Sequence, residues 1–317
     1  MNSVVVTGAA GFLGRHLCEY FLARDFAVFG VDNFSTGSKE NIKVLNKHEY
    51  FHFIEGDICE LDVWSQLCGL SRVQYVFHFA SPASPRFYMQ SPLATMRANS
   101  VGLQLALDYA TNKEARLIFA SSSEVYGNPE VHPQPESYFG NVNPTGLRSC
   151  YTEAKRFGEA LLFSFNQEFE TQHGVVRLFN SYGPYMSLRD GRVITEMLLA
   201  ALAQREVVIH GTGAQTRSFC YADDTIAGIV AYANSKLSFP LNIGNPNEIS
   251  ILDLILEVEK ATGKKIANVR HIESLANDPL KRCPDLNLCR EHLPHWQPRV
   301  SLAEGLKITA QWMTESF

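Results

Sequence analysis

Residues 3–32 open with Ser3-Val4-Val5-Val6-Thr7, turn through Gly8-Ala9-Ala10-Gly11-Phe12-Leu13-Gly14, and close with Ala27-Val28-Phe29-Gly30-Val31-Asp32. The first run is short, apolar and β-branched, as a strand buried on both faces must be. A helical pattern (Leu13, Leu17, Tyr20, Leu22) follows the glycines and leads into a second apolar run ending on an acid. Strand, glycine turn, helix, strand, acid is one βαβ unit. Gly8 permits the tight turn, Gly11 lets a backbone approach a pyrophosphate, and Gly14 lets the helix lie close to the strand. The helix N-terminus then offers unpaired N–H groups and a positive dipole end to phosphates. Asp32 can accept both ribose hydroxyls and disfavours a 2′-phosphate, which points to NAD over NADP.

The alternation continues outward. Phe51–Glu55, Tyr75–Ala80 and Arg116–Ala120 read as strands, separated by helical patterns near 61–69, 95–111 and 151–170. Such alternation predicts an α/β fold, a doubly wound parallel (Rossmann) sheet with right-handed crossovers. Its ligands sit beyond the carboxyl ends of the strands, so Asp57, His78–Ser81 and Ser121–Glu124 point at one crevice. After Asn180 the segments shorten: 207–210 and 240–243 read as strands, and 193–204, 223–234, 250–262 and 301–314 as helices. This suits a smaller α/β substrate-binding lobe. The expected division is residues 1–180 for the NAD-binding Rossmann domain, with 207–240 returning to it, and 181–206 plus 241–317 for the lobe.

The 317 residues carry 28 Lys+Arg against 33 Asp+Glu, a net charge of −5, with 45% hydrophobic and 19% charged residues. That balance excludes a disordered or highly charged chain and argues against nucleic-acid and membrane partners. The seven cysteines include no CxxC and no neighbours at ligand spacing, so neither a disulfide framework nor a metal site is expected. No leader pattern opens the chain and no apolar run approaches the roughly 18 residues of a membrane span. A cytoplasmic protein with reduced thiols is the expectation.

Tyr151 and Lys155 stand four apart in a helical segment and so share a face. A phenol titrates near 10, and bringing it near 7 takes roughly 4 kcal/mol of phenolate stabilisation. A lysine ammonium one turn away and a nearby cationic nicotinamide have the right sign. Ser122, at a strand end in the same crevice, can hydrogen-bond the same substrate hydroxyl.

Together Gly8–Gly14, Asp32–Gly37, Ser122 and Tyr151/Lys155 resemble the extended short-chain dehydrogenase/reductase superfamily that acts on nucleotide sugars, the NAD-dependent epimerase/dehydratases. Within it the chain is similar to the UDP-glucuronate decarboxylase (UDP-xylose synthase) family along nearly its whole length. Matching stretches include Ser123-Glu124-Val125-Tyr126-Gly127, Cys150–Arg156 and Gln215–Phe219, and the more particular ones are Ser81-Pro82-Ala83-Ser84-Pro85 and Asp278–Asp285. Related 4,6-dehydratases carry Asp-Glu after the Ser/Thr, and 4-epimerases a small apolar residue where Glu124 stands; Ser123-Glu124 fits the decarboxylases.

The resemblance implies C4 oxidation of UDP-glucuronate, loss of CO2 from the 4-keto sugar and re-reduction. Tyr151, Lys155 and Ser122 would carry it, with Glu124 near C5 and Arg282 placing the carboxylate. It further implies cofactor contacts from Phe12, Leu13, Asn33, Asp57, Ile58, Ala80 and Asn99. Pro82, Tyr88, Asn180, Arg192, Arg217 and Arg282 would hold the UDP-sugar, and arginine forks suit a diphosphate. The alternatives are a nucleotide-sugar 4-epimerase and a non-catalytic NAD(H)-binding regulator. Surplus apolar residues on the helices near 95–111 and 151–170 imply a homodimer through a four-helix seam. Thr152, Ala154, Leu147, Phe139 and His295 depart from the decarboxylase pattern, and none removes a catalytic group.

Overall fold

A computed structural model describes residues 1–273 and 281–315; Asp278, Pro279 and Leu280 of the last motif lie outside them. The first half runs β1 (Ser3–Thr7), α1 (Phe12–Leu22), β2 (Ala27–Asp32), α2 (Lys39–Leu45), β3 (Phe51–Glu55), α3 (Leu61–Leu67) and β4 (Val73–His78). It continues with α4 (Pro85–Gln90), α5 (Pro92–Ala98), α6 (Val101–Asn112), β5 (Arg116–Ser122), a 3-10 turn (Ser123–Tyr126), α7 (Ser149–Phe169) and β6 (Gly174–Leu178). The second half comprises β7 (Ser181–Tyr182), α8 (Val193–Leu202), β8 (Glu206–His210), β9 (Thr216–Ser218), β10 (Cys220–Tyr221) and α9 (Ala222–Asn234). β11 (Leu241–Ile243), β12 (Glu248–Ser250), α10 (Ile251–Thr262), β13 (Asn268–Ile272), β14 (Lys281–Arg282), α11 (Asn287–His292) and α12 (Leu302–Glu315) follow.

One sheet of seven strands, ordered β11-β6-β5-β4-β1-β2-β3, is parallel throughout. The strand order reverses at β1/β4, and a crevice opens there beyond the carboxyl ends. One apolar layer joins the sheet to Leu17 and Phe21 of α1 and Ile226 and Ile229 of α9. The other joins it to Trp64 of α3, Leu103 and Leu107 of α6, and Leu162 and Phe165 of α7. Each such side chain taken fully out of water contributes about 1.5–3 kcal/mol. A third layer, built on Leu198, Leu254, Val258, Leu306 and Met313, forms the core of the second half.

The return of the chain to this sheet differs from the expected 207–240. β8 instead pairs with β13 in a separate two-stranded sheet. Its alternating pattern explains this: Val207 and Ile209 are buried, while Val208 and Glu206 face out, where Glu206 holds Arg270 and Asn268. A seventh strand must be buried on both faces, and β11 is, with Leu241, Asn242 and Ile243 all inaccessible. Helix α9, inside 207–240, does lie on the sheet. The helix expected over 95–111 is two helices, interrupted at Asn99-Ser100. There the Asn99 amide and Ser100 hydroxyl bond the carbonyls of Thr95 and Met96, competing with backbone donors for the helical acceptors.

Candidate functional site

The glycine turn sits against β4 as its spacing requires. Gly8 has φ +75°, and a Cβ there would lie 2.8 Å from the Phe79 carbonyl carbon; a Cβ on Gly14 would lie 1.9 Å from Gly8 O. Gly11 is the N-cap of α1 and no side chain caps the helix, so the N–H groups of its first turn remain for a ligand. Asp32 ends β2 with both oxygens engaged, one accepting Ala10 N at 3.0 Å and the other Phe34 N at 2.8 Å. Burial pushes its carboxyl up, against those backbone donors. A carboxylate retains lone pairs after two such bonds, so Asp32 both holds the turn and keeps acceptor capacity. Asn99 Oδ1 is buried without a partner, while its amide donates to Ser81 on the cleft wall. A helix N-terminus at a glycine cradle, an acid ending β2 and an unsatisfied buried acceptor fit a dinucleotide.

A cleft of about 1350 Å³ opens from this turn. It brings together Gly8, Gly11, Phe12, Leu13, Gly14, Ser122, Glu124, Tyr151, Lys155, Asn180, Arg192, Arg217 and Arg282. The other expected residues are not among those lining it, and Asn33 and Asp57 are exposed. The Asn33 amide reaches Asp57 at 3.5 Å, and Asp57 accepts Cys59 N. Ile58 packs at Gly102, Ala80 N donates to Thr7 Oγ1, and Pro82 is buried. Tyr88 is fully buried, its ring stacked on Tyr151 at 4.9 Å and 6°. His78 is structural: its Nε2 lies 3.0 Å from Ala98 O, and burial holds it down to about 3.

Ser122 accepts Glu124 N at 3.2 Å, which folds the 3-10 turn. Its hydroxyl also bonds the Tyr151 phenol and pulls it down, but burial dominates and pushes that phenol up to about 12. Lys155, one helical turn on, donates to Ala120 O at 2.7 Å with its ammonium 4.8 Å over the Phe119 ring. Helix α7 comes this close because Gly158 leaves room for Phe119. Burial lowers Lys155 to about 7, opposed by Glu159. In the chain alone burial opposes the phenolate, while a cation brought beside it, as expected of a nicotinamide, has the sign to favour it.

Glu124 lies between two guanidinium groups. Its Oε1 accepts Arg282 Nη1 at 3.1 Å and Arg148 Nη2. Burial would raise its carboxyl, but Arg282 and Arg148 together hold it below the ordinary value. Arg282 and Arg217 are partners across the β14–β9 ladder, and the buried Arg282 Nε has no partner. Arg192 is held by Asp190 at 3.3 Å, and the Asn180 amide donates to Ser218 O. Arg148, two residues before Cys150-Tyr151, is a polar residue of the cleft that the sequence reading did not single out. No group of metal-ligating side chains occurs among the described residues.

The NAD dependent epimerase/dehydratase family matches residues 4–244. The chain is 39% identical over 306 residues to UDP-glucuronic acid decarboxylase 3 of Arabidopsis thaliana, covering 96% of this chain and 87% of that one. It also resembles the UDP-glucose 4-epimerase of Thermotoga maritima solved with UDP-glucose (TM-score 0.91, 28% identity, 99% of each chain). A further likeness is to a tyrosine-to-phenylalanine mutant of the UDP-glucuronic acid 4-epimerase of Bacillus cereus, solved with UDP-4-deoxy-4-fluoro-glucuronic acid and NAD (TM-score 0.88, 29% identity, 99% of this chain and 100% of that one).

Proposed function

The chain belongs to the NAD dependent epimerase/dehydratase family, and from that premise we propose that it is a UDP-glucuronate decarboxylase forming UDP-xylose. The observation that carries this reading is the Glu124–Arg282 pair, 3.1 Å apart in the same cleft as Ser122, Tyr151 and Lys155. An epimerase needs only the latter three to oxidise and re-reduce C4. A second, charged centre suits a reaction at C5.

NAD would be held by the glycine turn, the N-terminus of α1 and Asp32, and would supply a reversible hydride acceptor for sugar C4. Tyr151 takes the proton of the C4 hydroxyl, and Ser122 steadies the oxygen as it becomes a carbonyl. Lys155 adds positive charge behind the phenol. With a ketone at C4, the C5 carboxylate is β to a carbonyl. The bond from C5 to the carboxylate breaks, CO2 leaves, and the electron pair passes into an enolate spread onto the C4 oxygen. Arg282 orients the carboxylate, and the ionised Glu124 holds beside C5 the water whose proton enters the enolate. Arg192, Arg217 and Asn180 hold the UDP group, and Tyr88 backs the ring of Tyr151.

We further infer a homodimer seam on α5–α7, supported by Val101, Phe157 and Phe163, which stay 42%, 51% and 64% exposed. Among the described residues no helix is long and apolar enough to cross a membrane. All seven cysteines are free thiols, which supports a reducing, cytoplasmic setting. The cofactor domain is taken as 1–180 with α9 and β11, and the third apolar layer as the core of the substrate lobe.

Incubation with UDP-glucuronate, followed by NMR of the sugar nucleotide and detection of CO2, tests the assignment. UDP-xylose with stoichiometric CO2 is expected. Recovered acid, or acid epimerised at C4, overturns it. Tyr151→Phe is expected to lose turnover by at least about 10²-fold while NAD binding persists; retained activity removes Tyr151 from its role.

A further inference from the structure

We propose that Arg148 is a positioning residue for decarboxylation, clamping Glu124 through the same carboxylate oxygen as Arg282 so that Glu124 takes part in the reaction as a fixed carboxylate and not as an acid. This rests on the decarboxylase reading above. Three placements carry it.

Arg148 directly precedes α7, and its carbonyl accepts Tyr151 N at 3.0 Å and Thr152 N at 3.1 Å. The residue that opens the helix of the proposed base is thereby fixed relative to Tyr151. Its Nη2 donates to Glu124 Oε1, the same oxygen that accepts Arg282 Nη1. All three side chains are at least four-fifths buried: 18% exposed for Arg148, 12% for Glu124 and 7% for Arg282. Finally, one carboxylate between two guanidinium groups leaves the cluster with a net charge of +1. With Arg282 alone the pair would be neutral, and little attraction would remain for a substrate carboxylate.

The titratable and charged groups facing Glu124 are Arg148 and Tyr151 at the start of α7, Arg282 on β14 and Tyr88 on α4. Burial of Glu124 opposes its ionisation and the two arginines favour it. Removing either cation therefore moves its protonation toward neutral pH. Tyr88 responds to the same charges, raised by burial and by Glu124 and lowered by Arg148. The clamp thus also acts on the ring stacked against Tyr151.

The test compares the native enzyme with Arg148→Met and Arg148→Lys by three readouts: the pH profile of kcat, UDP affinity, and a 13C NMR titration of the Glu124 carboxyl. Arg148→Met is expected to lose roughly 10- to 100-fold in kcat, with the acid limb and the carboxyl titration moved up by about one pH unit. UDP affinity should stay within about twofold, since Arg148 is not assigned to the diphosphate. Arg148→Lys should restore the limb, because it keeps the charge, but only part of kcat, because it lacks the fork. An unmoved limb and titration in Arg148→Met, or kcat within twofold of native, overturns the proposal. If Arg148→Met fails to bind UDP, Arg148→Gln against Arg148→Lys gives the same contrast. A native enzyme that makes no UDP-xylose overturns the decarboxylase reading alone; the carboxyl titration then still decides whether Arg148 holds Glu124 ionised.

Discussion

Lys155→Met should abolish turnover and yet raise thermal stability. Lys155 is fully buried, and burial lowers its ammonium from 10.5 to about 7. At about 1.4 kcal/mol for each factor of ten, that places an upper bound of roughly 5 kcal/mol on the cost of keeping the group in the folded state. Two contacts offset it: the bond to Ala120 O at 2.7 Å and the approach to the Phe119 ring at 4.8 Å. Together they are worth about 2–3 kcal/mol. Methionine nearly conserves the volume and carries no charge, so the variant gains about 2 kcal/mol, or a melting temperature higher by roughly 3 °C. The pH dependence has a definite sign. The folded value lies below the unfolded one, so the cost is fully present below about pH 7 and is relieved as pH rises toward 10.5. Melting curves of both proteins without added nucleotide, at pH 6, 7.5 and 9, should show a gap that is largest at pH 6 and narrows upward. A variant that melts lower at every pH, or a gap that widens with pH, would falsify the claim that this buried cation opposes folding.

Two further substitutions probe the scaffold. Glu159 accepts Arg177 Nη2 at 2.7 Å and Nε at 3.0 Å as well as the Ser121 hydroxyl at 2.5 Å, with both ionic side chains nearly buried. Glu159→Gln leaves the Arg177 charge uncompensated and should cost about 3–5 kcal/mol in urea unfolding; a loss under about 1 kcal/mol would mean that the pair is dispensable. Gly14→Ala places a methyl 1.9 Å from Gly8 O, more than 1 Å inside ordinary contact, so the turn or α1 must shift. NAD affinity by calorimetry should fall at least roughly tenfold, and unchanged affinity would detach the turn from cofactor binding.

What the sequence disclosed is what local chemistry enforces. β1, β2 and β5 are legible because a strand buried on both faces must be a continuous apolar run, and the glycine turn because Gly8 and Gly14 have no room for a Cβ. β6 was not read as a strand: it begins on Gly174 and carries Arg177, whose charge becomes tolerable only once Glu159, on a different element, is beside it. β8 and β11 exchanged their expected places because a three-residue strand gives almost no periodicity, while an alternating one gives a pattern without a partner. Arg148 was missed for a related reason. Its partner lies 24 residues away, and Arg282 reaches the same oxygen from 158 residues away, so only the folded chain reveals the clamp. Spacing did bring Tyr151 and Lys155 onto one face, but spacing carries no information on burial, and burial sets the direction of both their shifts.

The charge arithmetic connects these points. A chain of net charge −5 has no general attraction for a substrate bearing a diphosphate and a carboxylate. Its cleft nevertheless is lined by eight Arg and Lys side chains, Arg148, Arg192, Arg217 and Arg282 among them, against five carboxylates, an excess of three positive charges. Placing a substrate carboxylate beside Glu124 sets like charges together, and two arginines around one glutamate are what keep that approach favourable. In the proposed reaction the carboxylate then leaves as neutral CO2, and its electron pair moves to the C4 oxygen near Ser122 and Tyr151. The repulsion at Glu124 is relieved in the same step, and the new negative charge forms beside the phenol whose bond to Ser122 is already in place. A cluster that binds the carboxylate firmly but keeps an anion beside it thus favours the state after CO2 has left over the state before.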